Sequence, residues 1–426
     1  MFYIFANTIA LLAYVLSRFF GEKRLLLVDG YMAGLFLYFM GILFFINDSG
    51  MSNDVEMVLQ LTTLVILSSL LCVLFFMPLV FKHKKWPVVT SNLPSQRYRL
   101  LFGLIGIFII FVNLFFVYKV LTTFSVVELL LMGDEVNLLD VRKGIASGEQ
   151  GYFFPGLIKQ IRDILAPVLI GYLLFFMPKN QFFLLKTLLI GTTIGAMLIG
   201  GQRFPFIVLI GVLYLLSSYR DSMQDIQKNT FFKKVLLILL MFVLLFIITV
   251  ILGRAEYSGN VFTLIGDLVY SVFDRIFFTV ARENILAFPF MSNIDFGFAS
   301  LWVADLSILL PGLQGSITNE IHHYLGGSQQ GNSVTGLPLD IYFNAGYFGL
   351  IIVPFLVVWF ISVLDNIILA MDNGFLFSTR FVILLYVPMM YSPYQFLLNG
   401  GLFLLFVIGL ILMYRIVLSR YRTRDG

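Results

Sequence analysis

Eleven stretches of the sequence are strongly apolar and contain no charged residue. An α-helix needs about 20 residues to cross the hydrocarbon core of a bilayer, and polar residues at its ends can make up a shortfall. The chain of 426 residues is 59% hydrophobic and 12% charged, whereas a soluble domain contains about 25% charged residues. We therefore predict an all-α polytopic membrane protein with about 11 transmembrane helices, forming a single integral membrane domain over residues 1–426. The apolar runs are 2–17, 31–46, 57–81, 100–118, 164–177, 187–201, 204–218, 235–252, 347–364, 381–396 and 401–414.

The cations predict the orientation of these helices. Every second connector, together with the C-terminal tail, is rich in cations, and these segments hold 19 of the 28 lysines and arginines. Segments rich in cations are cytoplasmic by the positive-inside rule. The N-terminus is then outside, the C-terminus is inside, and the connectors 47–56, 122–157 and 254–346 face outward. The counted cations are Arg18, Lys23, Arg24, Lys82, Lys84, Lys85, Arg97, Arg99, Lys179, Lys186, Arg220, Lys228, Lys233, Lys234, Arg380, Arg415, Arg420, Arg422 and Arg424. A re-entrant pair is the alternative to two spans within 381–414.

The net charge of +4 is what the positive-inside rule demands, so it does not predict a nucleic-acid partner. Cys72 is the only cysteine and lies within an apolar run, which excludes an intramolecular disulfide. The first run lacks a cleavage pattern of small residues, so we expect it to be a retained first span.

The outer connector 122–157 is polar and rich in turn residues. It contains Arg142 and leads to Lys159 and Arg162 at the head of the next apolar run. Lys159 and Arg162 are three residues apart and would share one face of a helix. Two cations on one outer face could hold a lipid phosphate, or they could extend to the lipid head groups.

A second outward-facing arginine stands in a very short connector, in the segment GGQRFPF. Arg203 is the only charge between Thr187 and Ser218, and Pro205 suits the first turn of the following helix. Placing an arginine within the hydrocarbon core of a bilayer costs about 2.5–3.5 kcal/mol of free energy. Arg203 is therefore either functional or extended toward the membrane surface.

The long outer interval 254–346 is where we expect the chemistry. It has no lysine, three arginines (Arg254, Arg275 and Arg282) and two of the three histidines. Helical spacing predicts an amphipathic helix around Arg275 and Arg282, with a polar stripe toward a partner or a cavity, or simply toward solvent. His322 and His323 are adjacent and point in different directions on a helix, so a shared metal is not expected, and no nucleotide-binding or hydrolase motif occurs.

Several of these segments resemble the Wzy-type oligosaccharide repeat-unit polymerases, which are relatives of the O-antigen ligases. The resembling segments are GGQRFPF, DRIFFTVAREN, LSILLPG and TGLPLDIYFNAGYFGLIIVPFLV. In that family a signature of small, polar and acidic residues leads from the main periplasmic loop into a late span. Its counterparts here are Thr335, Gly336, Asp340, Asn344, Gly346 and Gly349.

The resemblance implies a membrane glycosyltransferase, similar to the GT-C type, with a first large periplasmic loop at 122–157 and a partly helical main periplasmic loop at 254–346. It would act without metal or cofactor on undecaprenyl-diphosphate-linked oligosaccharides, both donor and acceptor, at the outer face of the bacterial inner membrane. A flippase and a chain-length regulator would be its protein partners. Arginines suit the diphosphate because their planar fork binds phosphate bidentately.

We expect Arg203, Arg275 and Arg282 to bind the diphosphate, with Arg142, Arg162 and Arg254 as further candidates. Asp340 or His323 would accept the proton of the acceptor hydroxyl. Two other functions are possible from the sequence: an O-antigen ligase that transfers the glycan to lipid A core, and a transporter or flippase of lipid-linked saccharides. A transporter would be expected to show internal repeats and ionisable residues at mid-membrane, and the sequence shows neither.

Overall fold

The computed structural model describes residues 2–20, 26–80, 96–123, 155–178, 180–199, 203–223, 278–294, 317–326, 336–370 and 373–387, together with residues 266, 270, 274 and 409. Within these ranges the chain is nearly all helical and contains no strand. The helices are α1 (Phe2–Phe20), α2 (Leu27–Ser49), α3 (Asn53–Val80), α4 (Gln96–Thr123), α5 (Pro155–Gln160), a π-helical turn (Ile161–Leu165), α6 (Ala166–Phe175), α7 (Phe183–Ile199), α8 (Arg203–Met223), α9 (Thr279–Ser292), α10 (Ile317–Tyr324), α11 (Leu337–Ala370) and α12 (Gly374–Tyr386).

Four of the described helices are long and apolar enough to cross a membrane, in α2, α3, α4 and α11. Shorter apolar helices are α1, α7, α8 and α12. This confirms an all-helical protein of membrane type. Eight of the eleven predicted apolar runs fall on described helices, and the run 381–396 is described only as far as Val387. The runs 235–252 and 401–414 lie outside the described residues except for Gly409.

The chain divides into two compact units. The first unit comprises Met1–Pro87, Val269–Ala370 and Tyr386–Leu398, and the second comprises Val88–Leu268, Met371–Leu385 and Asn399–Gly426. In the first unit, α11 packs along α3, α1 also packs on α3, and α9 packs on both α2 and α3. In the second unit, α4 packs on α7, and α6 packs on α8.

Polar contacts fix one end of the first unit. The backbone N–H of Leu27, at the start of α2, donates to Oδ2 of Asp365 in α11 over 3.1 Å. Asp29 closes the first turn of α2 by accepting from the N–H of Leu26, and it also pairs with Arg18 of α1 at 2.8 Å. Because the first N–H groups of a helix have no partner within that helix, these carboxylates satisfy the N-terminus of α2.

One connector prediction is wrong. Arg380 was assigned to a cytoplasmic connector because it interrupts the apolar sequence before residue 381. The structure instead places Arg380 inside α12, six residues after the start at Gly374, with its side chain completely buried. The aliphatic stem of an arginine can be buried, so a single charge does not end an apolar helix.

Candidate functional site

Helix α9 and the start of helix α11 meet at a buried hydrogen bond. The N–H of Gly336 donates to Oδ1 of Asn284 over 2.6 Å. Asn284 lies on the buried face of α9, where its Nδ2 also donates to the carbonyl of Val280. The bond joins two segments that are 52 residues apart. Both segments belong to the set that carries the family resemblance.

Helix α11 contains a sharp kink at Gly346. That residue has φ 61° and ψ −161°, a conformation found almost only in glycine. After the kink, a Cβ added to Gly349 would overlap Cβ of Ala345 and lie 3.5 Å from the carbonyl oxygen of Ile341. Residues eight apart in a straight helix are separated by about 12 Å along the axis. The first arm of α11 (residues 337–345) therefore bends back over the beginning of the second arm (residues 347–370).

Three signature residues lie on one face at the start of α11, called here the polar stripe: Gly336 immediately before the first arm, and the polar residues Asp340 and Asn344 on it. Gly336, Asp340 and Asn344 follow each other at intervals of four, so they share a helix face. The side chain of Asp340 is 2% exposed, and Asn344 is also buried. Nδ2 of Asn344 donates to the carbonyl of Asp340 over 2.7 Å, and the N–H of Asp340 donates to the carbonyl of Gly336 over 3.0 Å. These bonds link successive members of the stripe.

A tyrosine from α2 closes the N-terminal end of this stripe. A Cβ added to Gly336 would lie 2.5 Å from Cε2 of Tyr38 and 3.0 Å from its hydroxyl oxygen. Tyr38 is 6% exposed, and its hydroxyl has no hydrogen-bond partner in the described part of the chain. Only a glycine at 336 leaves room for the tyrosine ring.

Tyr38 lies about half-way along α2, so the first arm starts at that level. Tyr38 follows Leu27 by about 16 Å along α2, and Leu27 is bonded to Asp365 near the end of the second arm. From Asp365 back to Gly346 the second arm extends about 28 Å. The two contacts therefore join α11 to α2 near the start of α2, at Leu27, and near its middle, at Tyr38.

Arg282 lies on the opposite, exposed face of α9. Its side chain is 47% exposed, and its Nη1 is 3.4 Å from Oδ1 of Asp274. Asp274 also accepts a 3.0 Å hydrogen bond from the hydroxyl of Thr279. A ring contact of 4.6 Å between Phe278 and Phe44 of α2 anchors the start of α9. Arg282 therefore projects from a fixed helix and is accessible to an anion.

The histidine pair lies on the short helix α10, which packs on α9. Tyr324 of α10 stacks on Phe290 of α9, with their ring centroids 4.7 Å apart. His322 is half-buried and His323 is exposed. Within the described ranges, no three His, Cys, Asp or Glu side chains come together as a group that could hold a metal ion.

Arg162 lies in the second unit, buried in the π-helical turn. It forms a bidentate pair with the adjacent Asp163, with Nε to Oδ1 at 2.6 Å and Nη2 to Oδ2 at 3.0 Å, and it packs 4.6 Å from the ring centroid of Phe116. Lys159 is exposed. The prediction that Lys159 and Arg162 share a surface is wrong, because the helix changes from α to π geometry at Ile161 and turns the arginine inward.

Other predicted positions are only partly covered. Arg203 is the first residue of α8, so Pro205 lies in the first turn of that helix, as predicted. The predicted hairpin tip at residues 200–202 lies outside the described residues. Arg142, Arg254, Arg275, Thr335 and the LSILLPG segment lie outside the described residues.

Two residues of this site were not singled out by the sequence. Tyr38 lies in an apolar run with no neighbouring polar pattern, and nothing in its sequence context marks it. Asn284 had a detectable signal, since it is an amide on the otherwise apolar face of an amphipathic helix.

The fold and the buried polar stripe define an all-helical membrane protein with a kinked helix at its candidate site. Compared with protein-family models, with curated proteins and with solved structures, the chain matches none.

Proposed function

We propose that this protein is a membrane glycosyltransferase that polymerises undecaprenyl-diphosphate-linked oligosaccharide repeat units by block transfer. The observation that carries the proposal is the Asn284–Gly336 hydrogen bond, since it joins two segments that separately resemble the same polymerase family. Beside that bond lie a buried carboxylate, Asp340, and on the other face of α9 an accessible guanidinium, Arg282. A carboxylate can accept the proton of an acceptor hydroxyl, and an arginine can stabilise a diphosphate leaving group.

The reaction uses the growing lipid-linked glycan as donor. A hydroxyl of the acceptor repeat forms a bond to the anomeric carbon, the bond from that carbon to the diphosphate oxygen breaks, and the electron pair leaves with the diphosphate. Asp340 accepts the hydroxyl proton, with His323 as the alternative base. Fixed guanidinium groups stabilise the negative charge that grows on the diphosphate.

Arg282 is suited to the diphosphate by its setting. At 3.4 Å its contact with Asp274 is long for a charge-assisted hydrogen bond, and about half of the arginine side chain is exposed. It can exchange this partner for a phosphate without uncovering a buried charge. Arg203, Arg275, Arg142 and Arg254 remain candidates from the sequence alone. Arg162 is less suited to this role, because it is buried in an ion pair with Asp163.

The proposed arrangement has eleven spans, with the N-terminus outside and the C-terminus in the cytoplasm of a bacterial inner membrane. This orientation puts the interval 254–346 where the lipid-linked repeats are presented. Cysteine labelling from outside should modify residues introduced near 140 and 300 and should leave those near 92, 225 and 420 unmodified. Labelling of position 300 from the cytoplasmic side alone would refute the assignment.

The surface glycan of a deletion strain tests the function. Without its polymerase, a cell still exports and attaches single repeats, so the glycan should shrink to one repeat per core. Long polymer left on the lipid carrier, with bare core, would instead identify a ligase. Repeats trapped on the cytoplasmic side would identify a flippase, and either result would contradict the proposal.

A further inference from the structure

The kink at Gly346 brings together two tyrosine rings that a straight helix would direct away from each other. Tyr342 lies on the first arm of α11, and Tyr347 is the first residue of the second arm. Residues five apart in a straight helix point about 140° away from each other and are separated by about 7.5 Å along the axis. The two ring centroids are instead 5.2 Å apart, and the ring planes are inclined by 70°. The two rings therefore form a corner, called here the aromatic corner, which depends on the conformation of one glycine.

One side of the aromatic corner is held by packing. Tyr342 is half-buried, and its ring makes a second edge-to-face contact with Phe343, with 5.2 Å between the centroids. The ring of Phe343 in turn lies 6.0 Å from the ring of Phe288 in α9. These contacts tie the corner to a second helix, so the position of Tyr342 is set by tertiary packing.

The other side of the aromatic corner is exposed. Tyr347 is 44% exposed, and its hydroxyl donates to Sδ of Met57 in α3 over 3.8 Å. A thioether sulfur is a weak acceptor, so an oxygen of a ligand can replace it at little cost. A Cβ added to Gly346, at the bend itself, would have no described atom within 4 Å. The ring of Tyr347 is therefore accessible beside a bend that has free space.

Polar side chains lie close to the exposed ring. Helix α3 begins at Asn53, so Asn53 and Asp54 precede Met57 by four and three residues and lie on its side of the helix. Asn53 is exposed and Asp54 is partly exposed. Both residues are about one helical turn, roughly 5.4 Å, from the level of the contact between Met57 and Tyr347. An aromatic surface next to a few polar groups is the usual composition of a site for a small polar ligand.

We propose that the aromatic corner binds a sugar ring of the lipid-linked repeat. The C–H groups on one face of the sugar pack on the ring of Tyr347, and the sugar hydroxyls form hydrogen bonds with the tyrosine hydroxyl, Asn53 and Asp54. A tyrosine offers an apolar ring with a polar end and loses little conformational entropy on binding. A phosphate fits less well, because the carboxylate of Asp54 would repel it. The inference rests on the proposed glycosyl transfer, for which it names a place where the saccharide is held.

Tyr347→Leu tests the corner, with Tyr118→Leu as a matched control. Tyr118 is 63% exposed and lies five residues before the end of α4, another helix long enough to cross a membrane. Tyr347→Leu and Tyr342→Leu should each weaken the binding of lipid-linked repeats purified from the native host by about 3–10-fold, as expected for one lost stacking contact. Neither should change the binding of undecaprenyl diphosphate without sugar. Tyr347→Phe should retain most of the binding because it keeps the ring, and Tyr118→Leu should bind both ligands like wild type.

Dissociation constants obtained from the ligand-dependent shift in melting temperature give the outcome. Equal binding of the repeats by Tyr347→Leu and wild type would overturn the aromatic corner and leave Tyr347 as a ring at the membrane surface. Equal weakening of both ligands would also overturn it, since the corner would then hold the lipid. Weaker binding of the repeats alone supports the corner even if wild-type protein makes no polymer, in which case only the polymerase assignment is refuted.

Discussion

Replacement of Gly346 by alanine should uncouple the two arms of α11. A Cβ at this position meets nothing within 4 Å, so the cost is not steric. It comes from the backbone, because φ 61° with ψ −161° is a region that residues with a Cβ avoid. Holding a non-glycine residue there costs about 1–3 kcal/mol. We expect a corresponding fall in the free energy of unfolding, or relaxation of the kink with loss of activity.

Two further glycines distinguish the effect of backbone conformation from the effect of steric crowding. Gly349 has no positive φ, but an added Cβ would overlap Ala345 and lie 3.1 Å from Cγ2 of Ile341. Overpacking of this kind costs about 1–3 kcal/mol. Gly191 in α7 has neither problem, since nothing lies within 4 Å of its Cβ position. Its replacement by alanine should be neutral or stabilise by up to about 1 kcal/mol through helix propensity.

The assay is the free energy of unfolding of each purified variant in mixed micelles, obtained by denaturant titration, with polymer formation recorded in parallel. Gly346→Asn adds a sharper test. Asparagine tolerates the left-handed helical region near ψ +47°, but ψ −161° lies far from it. Asparagine should therefore be as damaging as alanine. Wild-type stability and activity for both Gly346 variants would refute the kink as the basis of the site.

Asn284→Ala should cost about 1–3 kcal/mol of unfolding free energy, because it leaves the buried N–H of Gly336 without its acceptor. Arg282→Ala, on the exposed face of the same helix, should leave the free energy of unfolding within about 0.5 kcal/mol of wild type, while polymer formation should fall at least about tenfold. Arg282→Lys should recover little of the lost activity, because lysine lacks the planar fork of arginine. Full activity in both variants would remove Arg282 from the diphosphate site. Arg162→Ala should cost about 3–5 kcal/mol because it strips a buried carboxylate of its paired charge. The double variant Arg162→Met with Asp163→Leu should recover most of that loss, whereas equal losses in the single and double variants would contradict a purely electrostatic cause.

The helices themselves were largely predictable from the sequence. Charge-free apolar runs of membrane length leave the backbone no better option than to bond within a helix. The prediction failed where one residue breaks the pattern without breaking the helix. At Arg380 the charge is internal to α12, and at Arg162 the π-helical turn rotates a cation that an α-helical count would place on the surface.

The site was predictable only in part. The resemblance to a family signature marked Asp340, Gly346 and Gly349. Spacing does not reveal that Gly346 is needed for its backbone conformation, whereas Gly349 is needed because a Cβ there would overlap Ala345. Tyr38 could not be found at all, since its importance depends on a contact with Gly336, which is 298 positions later in the chain. Contacts of that separation arise from tertiary packing and leave no local pattern.

Incubation of the purified protein with lipid-linked repeats alone tests the central claim most directly. The diphosphate leaving group is already activated, so no nucleotide is needed, and arginines are proposed to stabilise it. The account predicts a ladder of lengthening lipid-linked products in the presence of a chelator, and the ladder should disappear in Asp340→Asn. A ladder that forms only after a divalent cation is added would contradict the arginine-based mechanism, and transfer to a core acceptor without any ladder would contradict polymerisation itself.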